Sequence, residues 1–133
     1  MTSVLLRHAS AGDRDAWDGN DRLRPLDARG RRQAAALIEV LRTVHVRRVV
    51  ASPSVRCVET VEPLAAALGL PLEQDHRLHE GSGRAAVDLM HEDGVVCCTH
   101  GDVIEHVLGY SLKKGAGVVL QDGEVVRELG PPA

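Results

Sequence analysis

Aromatic side chains are almost missing from this chain: its 133 residues include no Phe, one Trp and one Tyr. The interior must therefore be built from Val, Leu, Ile and Ala. Proteins that bind single-stranded nucleic acid stack the bases on aromatic rings. A formal net charge of −3 also creates no basic surface that would attract a polyanion. We therefore expect no nucleic-acid polymer among the partners of this protein.

Cysteines and long apolar runs are also scarce. The three cysteines, Cys57, Cys97 and Cys98, form neither a disulfide framework nor a Cys-x-x-Cys metal motif, and reduced thiols are typical of cytosolic proteins. The apolar run at the amino terminus stops at Arg7 and His8, too early for a signal peptide. No run approaches the roughly 20 apolar residues that cross a bilayer. We expect a cytoplasmic protein with no membrane partner.

The length and composition are those of one globular domain. A chain of 133 residues, 44% hydrophobic and 26% charged, is long enough to fold around a core without a metal ion or a disulfide. We therefore predict a single domain over residues 1–133. Nothing in the sequence fixes the oligomeric state.

Short apolar segments alternate with helical patterns along the chain. Buried strands are predicted at 3–6, 46–51, 70–74 and 94–99. Helices are predicted after the N-cap Asp27, from Ser52-Pro53 to Gly69, and over 84–91 and 101–108. Two more strands, 117–120 and 124–126, flank a tight-turn sequence. This order predicts an α/β fold, a three-layer α/β/α sandwich with a mostly parallel sheet and a C-terminal β-hairpin.

The residues that could carry chemistry follow the strongest strands. Arg7 and His8 follow the first strand, Arg56 lies shortly after the second, and His100-Gly101 follows the strand at 94–99. Ligands of open α/β sheets bind at the carboxyl ends of the strands. Each of these residues alone would more often be an ordinary surface side chain. Two arginines and two histidines at one predicted edge are much less expected by chance.

These residue types suit a phosphoryl group. Guanidinium groups and helix N-termini bind anions with several oxygens, and they stabilise the charge that develops in phosphoryl transfer. An imidazole can attack phosphorus directly as a covalent nucleophile. A carboxylic acid would protonate the leaving oxygen. Glu80, in the Gly-rich loop after the 70–74 strand, is the best candidate for that acid, and Asp13 is the reserve.

The same residues resemble the motifs of a known family. Leu6-Arg7-His8-Ala9-Ser10 resembles the Arg-His-Gly signature of the histidine phosphatase superfamily, the phosphoglycerate-mutase-like proteins. Ser52-Pro53-Ser54-Val55-Arg56 with Thr60 resembles the Ser-Pro-x-x-Arg segment, and Thr99-His100-Gly101 resembles the second-histidine motif. The motifs run in order from residue 4 to about residue 109 and are similar to those of the short SixA-like branch.

The resemblance implies a role for each residue. His8 would be the phosphorylated nucleophile, and Arg7, Arg56, His100 and Gly101 would bind and stabilise the phosphoryl group. It implies no metal and no other cofactor. The substrate would be a phosphorylated small molecule or a phosphoprotein, including phosphohistidine on a signalling protein. Glu80 matches the family's proton donor on a shorter motif, without the Trp-Glu-Gly continuation of larger members.

The function predicted is therefore a metal-independent phosphatase acting on a phosphomonoester or a phosphoramidate. Residues 112–120 and the hairpin are similar to phosphatase domains that follow Nudix hydrolase domains in actinobacterial proteins, which leaves nucleotide phosphates open. A phosphate-binding regulatory module without activity is the alternative from another class. A metal site on His76 and His79 lacks a third ligand at a recognisable spacing. Trp17 would either pack its loop or line the pocket, and Lys113 and Lys114 indicate a solvated loop.

Overall fold

The structure is a computed structural model and describes residues 1–132, which form six strands, three α-helices and four 3₁₀ segments. The strands are β1 (Thr2–Arg7), β2 (Arg48–Ala51), β3 (Leu72–Gln74), β4 (Val95–Thr99), β5 (Gly117–Gln121) and β6 (Glu124–Leu129). The helices are α1 (Ala28–Val40), α2 (Val55–Leu68) and α3 (Gly101–Leu108). The 3₁₀ segments are Arg14–Ala16, Asp21–Leu23, His76–Leu78 and Gly83–His91.

The six strands form one sheet in the order β3-β2-β4-β1-β5-β6. Strands β3, β2, β4 and β1 pair in parallel, whereas β5 is antiparallel to β1 and to β6. The turn between β5 and β6 has positive φ at both Asp122 and Gly123, as a two-residue hairpin of type I′ requires. The mostly parallel sheet and the C-terminal hairpin confirm the predicted architecture.

Each face of the sheet is covered by its own helical layer. Alternate strand residues such as Leu6 and Cys98 join a core with α1 and α2. Their neighbours Leu5 and Cys97 join a second core on the opposite face, with α3 and the segment Gly83–His91. The adjacent cysteines therefore point to opposite faces, as the strand period predicts, and the fold is a three-layer sandwich.

The starts of α1 and α2 test the capping predictions. Asp27 caps α1 as predicted, accepting from the Gly30 N–H at 2.8 Å. The predicted start of the next helix at Ser52-Pro53 is wrong, since α2 begins at Val55 with Ser54 as N-cap. The Ser52 N–H instead donates to the Cys98 carbonyl at 3.0 Å, which extends the pairing between β2 and β4 by one residue.

The other helix predictions are confirmed with small changes. Helix α2 ends at Leu68 with Gly69 as its C-cap, at a φ of 67°, and α3 spans Gly101–Leu108 as predicted. The predicted helix at 84–91 forms as the 3₁₀ segment Gly83–His91 and buries Ala86, Leu89 and Met90.

Candidate active site

The carboxyl ends of β1, β4 and β2 lie side by side and bring the predicted site residues together. Arg7 is in register with Thr99, and the His8 N–H donates to the Thr99 carbonyl at 3.0 Å. His8 and His100 therefore follow neighbouring strands at one edge of the sheet. Their ring centroids are 5.7 Å apart, with the ring planes at 66°.

His8 is buried, with 4% of its surface exposed. Its Nδ1 lies 2.9 Å from the Ala9 carbonyl oxygen. Because a carbonyl oxygen only accepts, Nδ1 carries the hydrogen and Nε2 carries the lone pair. Burial lowers the pKa of His8 to about 3, and the nearby charges of Arg56, His100 and Arg7 add to that lowering against the opposing hydrogen bond to Ala9. The imidazole is therefore neutral at neutral pH.

The loop that follows β1 is held by the two helices on one face of the sheet. The Ala9 N–H donates to Thr60 Oγ1 at 2.9 Å, and Ser10 Oγ donates to Asp27 Oδ2 at 2.7 Å. A Cβ on Gly30 would lie 1.9 Å from the Ser10 carbonyl oxygen, so this position accepts only glycine without a shift of backbone. Helices α1 and α2 therefore fix the backbone around the buried histidine.

Arg7 lies against the first residue of α3. Its Nη1 donates to the Leu112 carbonyl at 2.7 Å, and its buried Nε has no hydrogen-bond partner. Burial lowers the pKa of Arg7, while the charge of Glu105 acts in the opposite direction. A Cβ on Gly101 would lie 3.1 Å from Arg7 Cζ. The glycine therefore lets the guanidinium group lie flat against the helix N-terminus.

His100 is held by residues from β2 and α2. It is 2% exposed, and its Nδ1 lies 3.3 Å from Arg56 Nη2. The same Nδ1 lies 3.4 Å from Glu80 Oε2, and Nε2 lies 2.8 Å from Ser52 Oγ. The Ser52 hydroxyl that the sequence assigned to a helix cap therefore orients this imidazole.

Arg56 is a buried arginine, 1% exposed. Its Nη1 donates to the Asp21 carbonyl at 2.8 Å, and its Nη2 lies 3.2 Å from Asp21 Oδ2. Its Nε has no hydrogen-bond partner. Asp21 belongs to the long segment after β1, and sequence reasoning had assigned it no role in the site.

Glu80 lies beside Arg56, Arg14 and the second histidine, His100. Its Oε2 is 3.0 Å from both Arg56 Nη2 and Arg14 Nη2, and 3.4 Å from His100 Nδ1. The predicted acid is therefore in the site. Arg14 was not predicted, and the only signal for it was the length of its loop, since long loops in compact domains are often functional.

Two adjoining cavities open at this edge of the sheet. The first, about 280 Å³, is lined by Arg7, His8, His100, Gly101 and Glu80, together with Arg14 and Asp102. The second, about 520 Å³, is lined by Asp21, Arg22, Ser54, Arg56, His79 and Gly81, and it shares Glu80 and Asp102 with the first. Arg56 therefore borders the second cavity, although its Nη2 reaches His100 and Glu80.

Several other residues that the sequence singled out lie outside these cavities. Asp13 is exposed and accepts from the Asp15 N–H as a cap. The Trp17 indole donates to the Asn20 carbonyl at 3.0 Å, so Trp17 braces its own loop. Lys114 is exposed, and its pKa is lowered by partial burial and then by the charges of Arg7 and Arg24.

Within residues 1–132, no three His, Cys, Asp or Glu side chains are grouped closely enough to hold a metal ion. None of the helices in that range has the length and apolar character needed to cross a membrane.

Comparison with known proteins adds family information to this geometry. The model of the histidine phosphatase superfamily (branch 1) matches residues 3–88. An 8-oxo-(d)GTP phosphatase of Mycolicibacterium smegmatis is 33% identical over an alignment 156 positions long, which covers 98% of this chain and 48% of that protein. The chain thus spans about half the length of this relative.

Solved structures share the fold at lower sequence identity. The protein histidine phosphatase SixA in complex with tungstate superimposes with a TM-score of 0.79 at 20% identity, covering 98% of this chain and 97% of that one. A mycobacterial glucosyl-3-phosphoglycerate phosphatase in complex with VO3 gives a TM-score of 0.70 at 18% identity, covering 96% and 95%. At these identities the likeness establishes the fold alone.

Proposed function

The chain belongs to the histidine phosphatase superfamily, and on that premise we propose that it is a metal-independent phosphatase with His8 as nucleophile. It hydrolyses a phosphomonoester or a phosphoramidate through a phosphohistidine intermediate. The observation that carries the proposal is the state of His8, which is buried, neutral and oriented by Ala9 with a lone pair on Nε2.

The first step forms a bond between His8 Nε2 and phosphorus while the bond from phosphorus to the leaving group breaks. A neutral imidazole needs no separate base for this attack. Its Nδ1–H stays on the Ala9 carbonyl, which keeps the ring aligned and stabilises the charge that the ring gains.

The charge on the three peripheral phosphoryl oxygens needs fixed positive groups. Arg7 and Arg56 each carry a buried Nε without a partner, and those donors are available to phosphoryl oxygens. His100 and the N-terminus of α3 at Gly101 lie beside them. The roles assigned to Arg7, Arg56, His100 and Gly101 are therefore to bind the phosphoryl group and to stabilise its transferring state.

Glu80 is proposed to supply the proton to the leaving atom. Its carboxyl group borders both cavities, so it can reach a leaving group on one side and the phosphoryl group on the other. Water then attacks phosphorus in the phosphohistidine, the bond to Nε2 breaks, and inorganic phosphate leaves with the histidine restored. Glu80, after giving up its proton, accepts one from that water.

The substrate is proposed to be a phosphorylated small molecule or a phosphoprotein, with phosphohistidine as the SixA-like possibility. A specific observation supports nucleotide phosphates as the second candidate, because the relative that is 33% identical is an 8-oxo-(d)GTP phosphatase. A phosphate-binding module without activity is the rival from another class.

Phosphate release from p-nitrophenyl phosphate in the presence of EDTA tests the proposal. We expect the wild type to release phosphate in EDTA and His8→Ala to lose about 10³-fold or more of kcat. The exposed His45 offers a matched control, and His45→Ala keeps the wild-type rate.

Two results would contradict the proposal. Activity that disappears with EDTA and returns with a divalent metal would favour a metal-dependent hydrolase. An unchanged rate in His8→Ala, or no release by the wild type from aryl, nucleotide, sugar or phosphohistidine substrates, would remove His8 as nucleophile or leave only a binding role.

A further inference from the structure

The second cavity, the one of about 520 Å³ beside Arg56, is lined by side chains that can form hydrogen bonds. Every residue that lines it is polar, charged or glycine. We call it the polar subsite. It adjoins the first cavity, the one lined by Arg7 and His8, through Glu80 and Asp102, which line both.

The polar subsite concentrates polar atoms that lack hydrogen-bond partners. Among residues 1–132, five buried side-chain atoms have none, and four belong to its lining: Ser54 Oγ, Arg56 Nε, His79 Nδ1 and Asp102 Oδ1. Buried polar groups without partners are costly. Ser54 is the clearest case, since it is 1% exposed and caps α2 without a side-chain hydrogen bond.

Arg56 Nε only donates and is already assigned to the phosphoryl oxygens, and the other three atoms include an acceptor and groups that can donate or accept. A hydroxyl group does both, and Asp102 only accepts. The ring of His79 can do either from Nδ1, because burial, Arg22 and His100 lower its pKa and keep it neutral. Several hydroxyl groups on one small ligand would satisfy this set, whereas an apolar group would leave it unpaired.

The charges of the polar subsite select against a second anion. Asp21 and Glu80 are already paired with arginines, at 3.2 and 3.0 Å from Arg56 Nη2. Asp102 uses one carboxylate oxygen on the Gly81 N–H at 2.8 Å and leaves the other without a partner. Arg22 is at the exposed rim, where solvent and salt screen its charge.

We infer that the polar subsite holds the leaving group, and that it selects a neutral leaving group rich in hydroxyl groups, as in sugar and polyol monophosphates. Ser54, His79 and Asp102 make the hydrogen bonds that fix this group, and Asp102 repels a leaving group that carries a carboxylate or a second phosphate. The inference rests on the proposed function, because it assigns the position of the leaving group.

Two matched substrates test it. In sn-glycerol 3-phosphate the carbon farthest from the phosphate is a neutral CH₂OH, and in 3-phosphoglycerate it is a carboxylate. We expect kcat/KM to favour glycerol 3-phosphate by about ten-fold or more, since like charges in a partly buried site are strongly unfavourable. Asp102→Asn keeps the acceptor for the Gly81 N–H and should reduce that preference about five- to ten-fold.

Two variants separate a change in substrate preference from a general loss of activity or stability. Asp88→Asn, at an exposed aspartate outside the polar subsite, should leave the preference unchanged. Ser54→Ala removes a hydroxyl without a partner in the fold, so the unfolding midpoint should not fall. It should lower kcat/KM for glycerol 3-phosphate, relative to p-nitrophenyl phosphate, about three- to ten-fold.

The outcomes distinguish the inference from the function on which it rests. If p-nitrophenyl phosphate is hydrolysed but 3-phosphoglycerate is used as well as glycerol 3-phosphate, or neither is used, the inference is wrong and the phosphatase stands. An equal shift in Asp88→Asn and Asp102→Asn also overturns it. If the wild type hydrolyses none of the three, the proposed function itself fails.

Discussion

Two arginines flank strand β2, Arg48 at its amino end and Arg56 in helix α2 beyond its carboxyl end, and their hydrogen-bonding groups are satisfied in different ways. Arg48, at the amino end, donates from Nε and Nη2 to Glu73 at 3.0 and 2.7 Å and from Nη1 to Glu92. These hydrogen bonds raise the pKa of Arg48 further above its ordinary value. Arg56, beyond the carboxyl end, is more deeply buried, yet its Nε has no partner.

Under the proposed function, the difference separates an arginine that stabilises the fold from one that binds the phosphoryl group. At the amino edge, charges are paired with one another on the surface. At the carboxyl edge, Arg7 and Arg56 keep a buried donor without a partner, and His8 is buried neutral. Such groups cost folding free energy. We propose that these groups are retained, despite their cost in folding free energy, because they bind a ligand at this edge.

Among the variants that test this comparison, Arg56→Lys should lose the most activity. A lysine keeps the positive charge but cannot donate in two directions from a planar group. We expect kcat/KM for p-nitrophenyl phosphate to fall about 10²-fold, and we expect the unfolding midpoint to fall as well, because buried contacts with Asp21 and Glu80 are lost. A loss of stability without a loss of activity would place Arg56 with Arg48 as a structural arginine.

Gly101→Ala should have the next largest effect. The new Cβ would lie 3.1 Å from Arg7 Cζ and would push the guanidinium group away from the helix N-terminus. We expect kcat/KM to fall about ten-fold, because small displacements of binding groups are costly. Gly130→Ala is the matched control, since a Cβ there meets nothing within 4 Å. Equal activity in the two variants would remove Gly101 and the placement of Arg7 from the site.

Acid should lower the free energy of unfolding, because His8 is harder to protonate in the folded protein than in the unfolded chain. The pKa of His8 is about 3 in the fold and about 6.5 in the unfolded chain. Between these values the unfolded chain binds the extra proton, so the free energy of unfolding falls as the pH falls from 6.5 towards 3, by up to about 1.4 kcal/mol per pH unit.

Urea unfolding of wild type and His8→Gln between pH 7.5 and 4 measures this slope as a difference, which cancels the titration of carboxylates. We expect the variant to gain stability relative to the wild type as the pH falls below 6.5. A constant difference would mean that folding does not change the pKa of His8, and the exposed His45→Gln provides the control.

The smallest effect is expected at the other end of β2. Arg48→Gln removes partly exposed ion pairs with Glu73 and Glu92, and pairs of this kind contribute about 1 kcal/mol or less. We expect the free energy of unfolding to fall by that amount and kcat/KM to stay within about two-fold of the wild type. A large loss of activity would show that the two ends of β2 are coupled.

The sequence predicts most of the carboxyl edge because strand ends are easy to locate from apolar runs. The positions of Arg7, His8 and His100 follow from the ends of β1 and β4 and from parallel pairing. Glu80 was placed near them from its loop, and the structure brings it to 3.0 Å from Arg56 Nη2.

The contacts that the sequence did not predict depend on tertiary structure. Ser52 has the sequence pattern of a helix cap. In the fold, its N–H donates to the Cys98 carbonyl of β4, and its hydroxyl group is hydrogen-bonded to His100 Nε2. Arg14 and Asp21 lie in a segment without apolar periodicity, so no local pattern shows that they reach Glu80 and Arg56. From the sequence Asp102 is a favourable first-turn residue of α3, and only the fold shows that it lines both cavities.

The central claim is a covalent bond between His8 and phosphorus, and trapping that intermediate tests it most directly. The wild type would be mixed with a ³²P-labelled phosphomonoester, quenched in alkali within the first turnovers, digested, and the labelled peptide sequenced. We expect a label that is stable in alkali, labile in acid and located on His8, at a rate no slower than turnover. Turnover without label on His8, or label on His100 instead, would contradict the account.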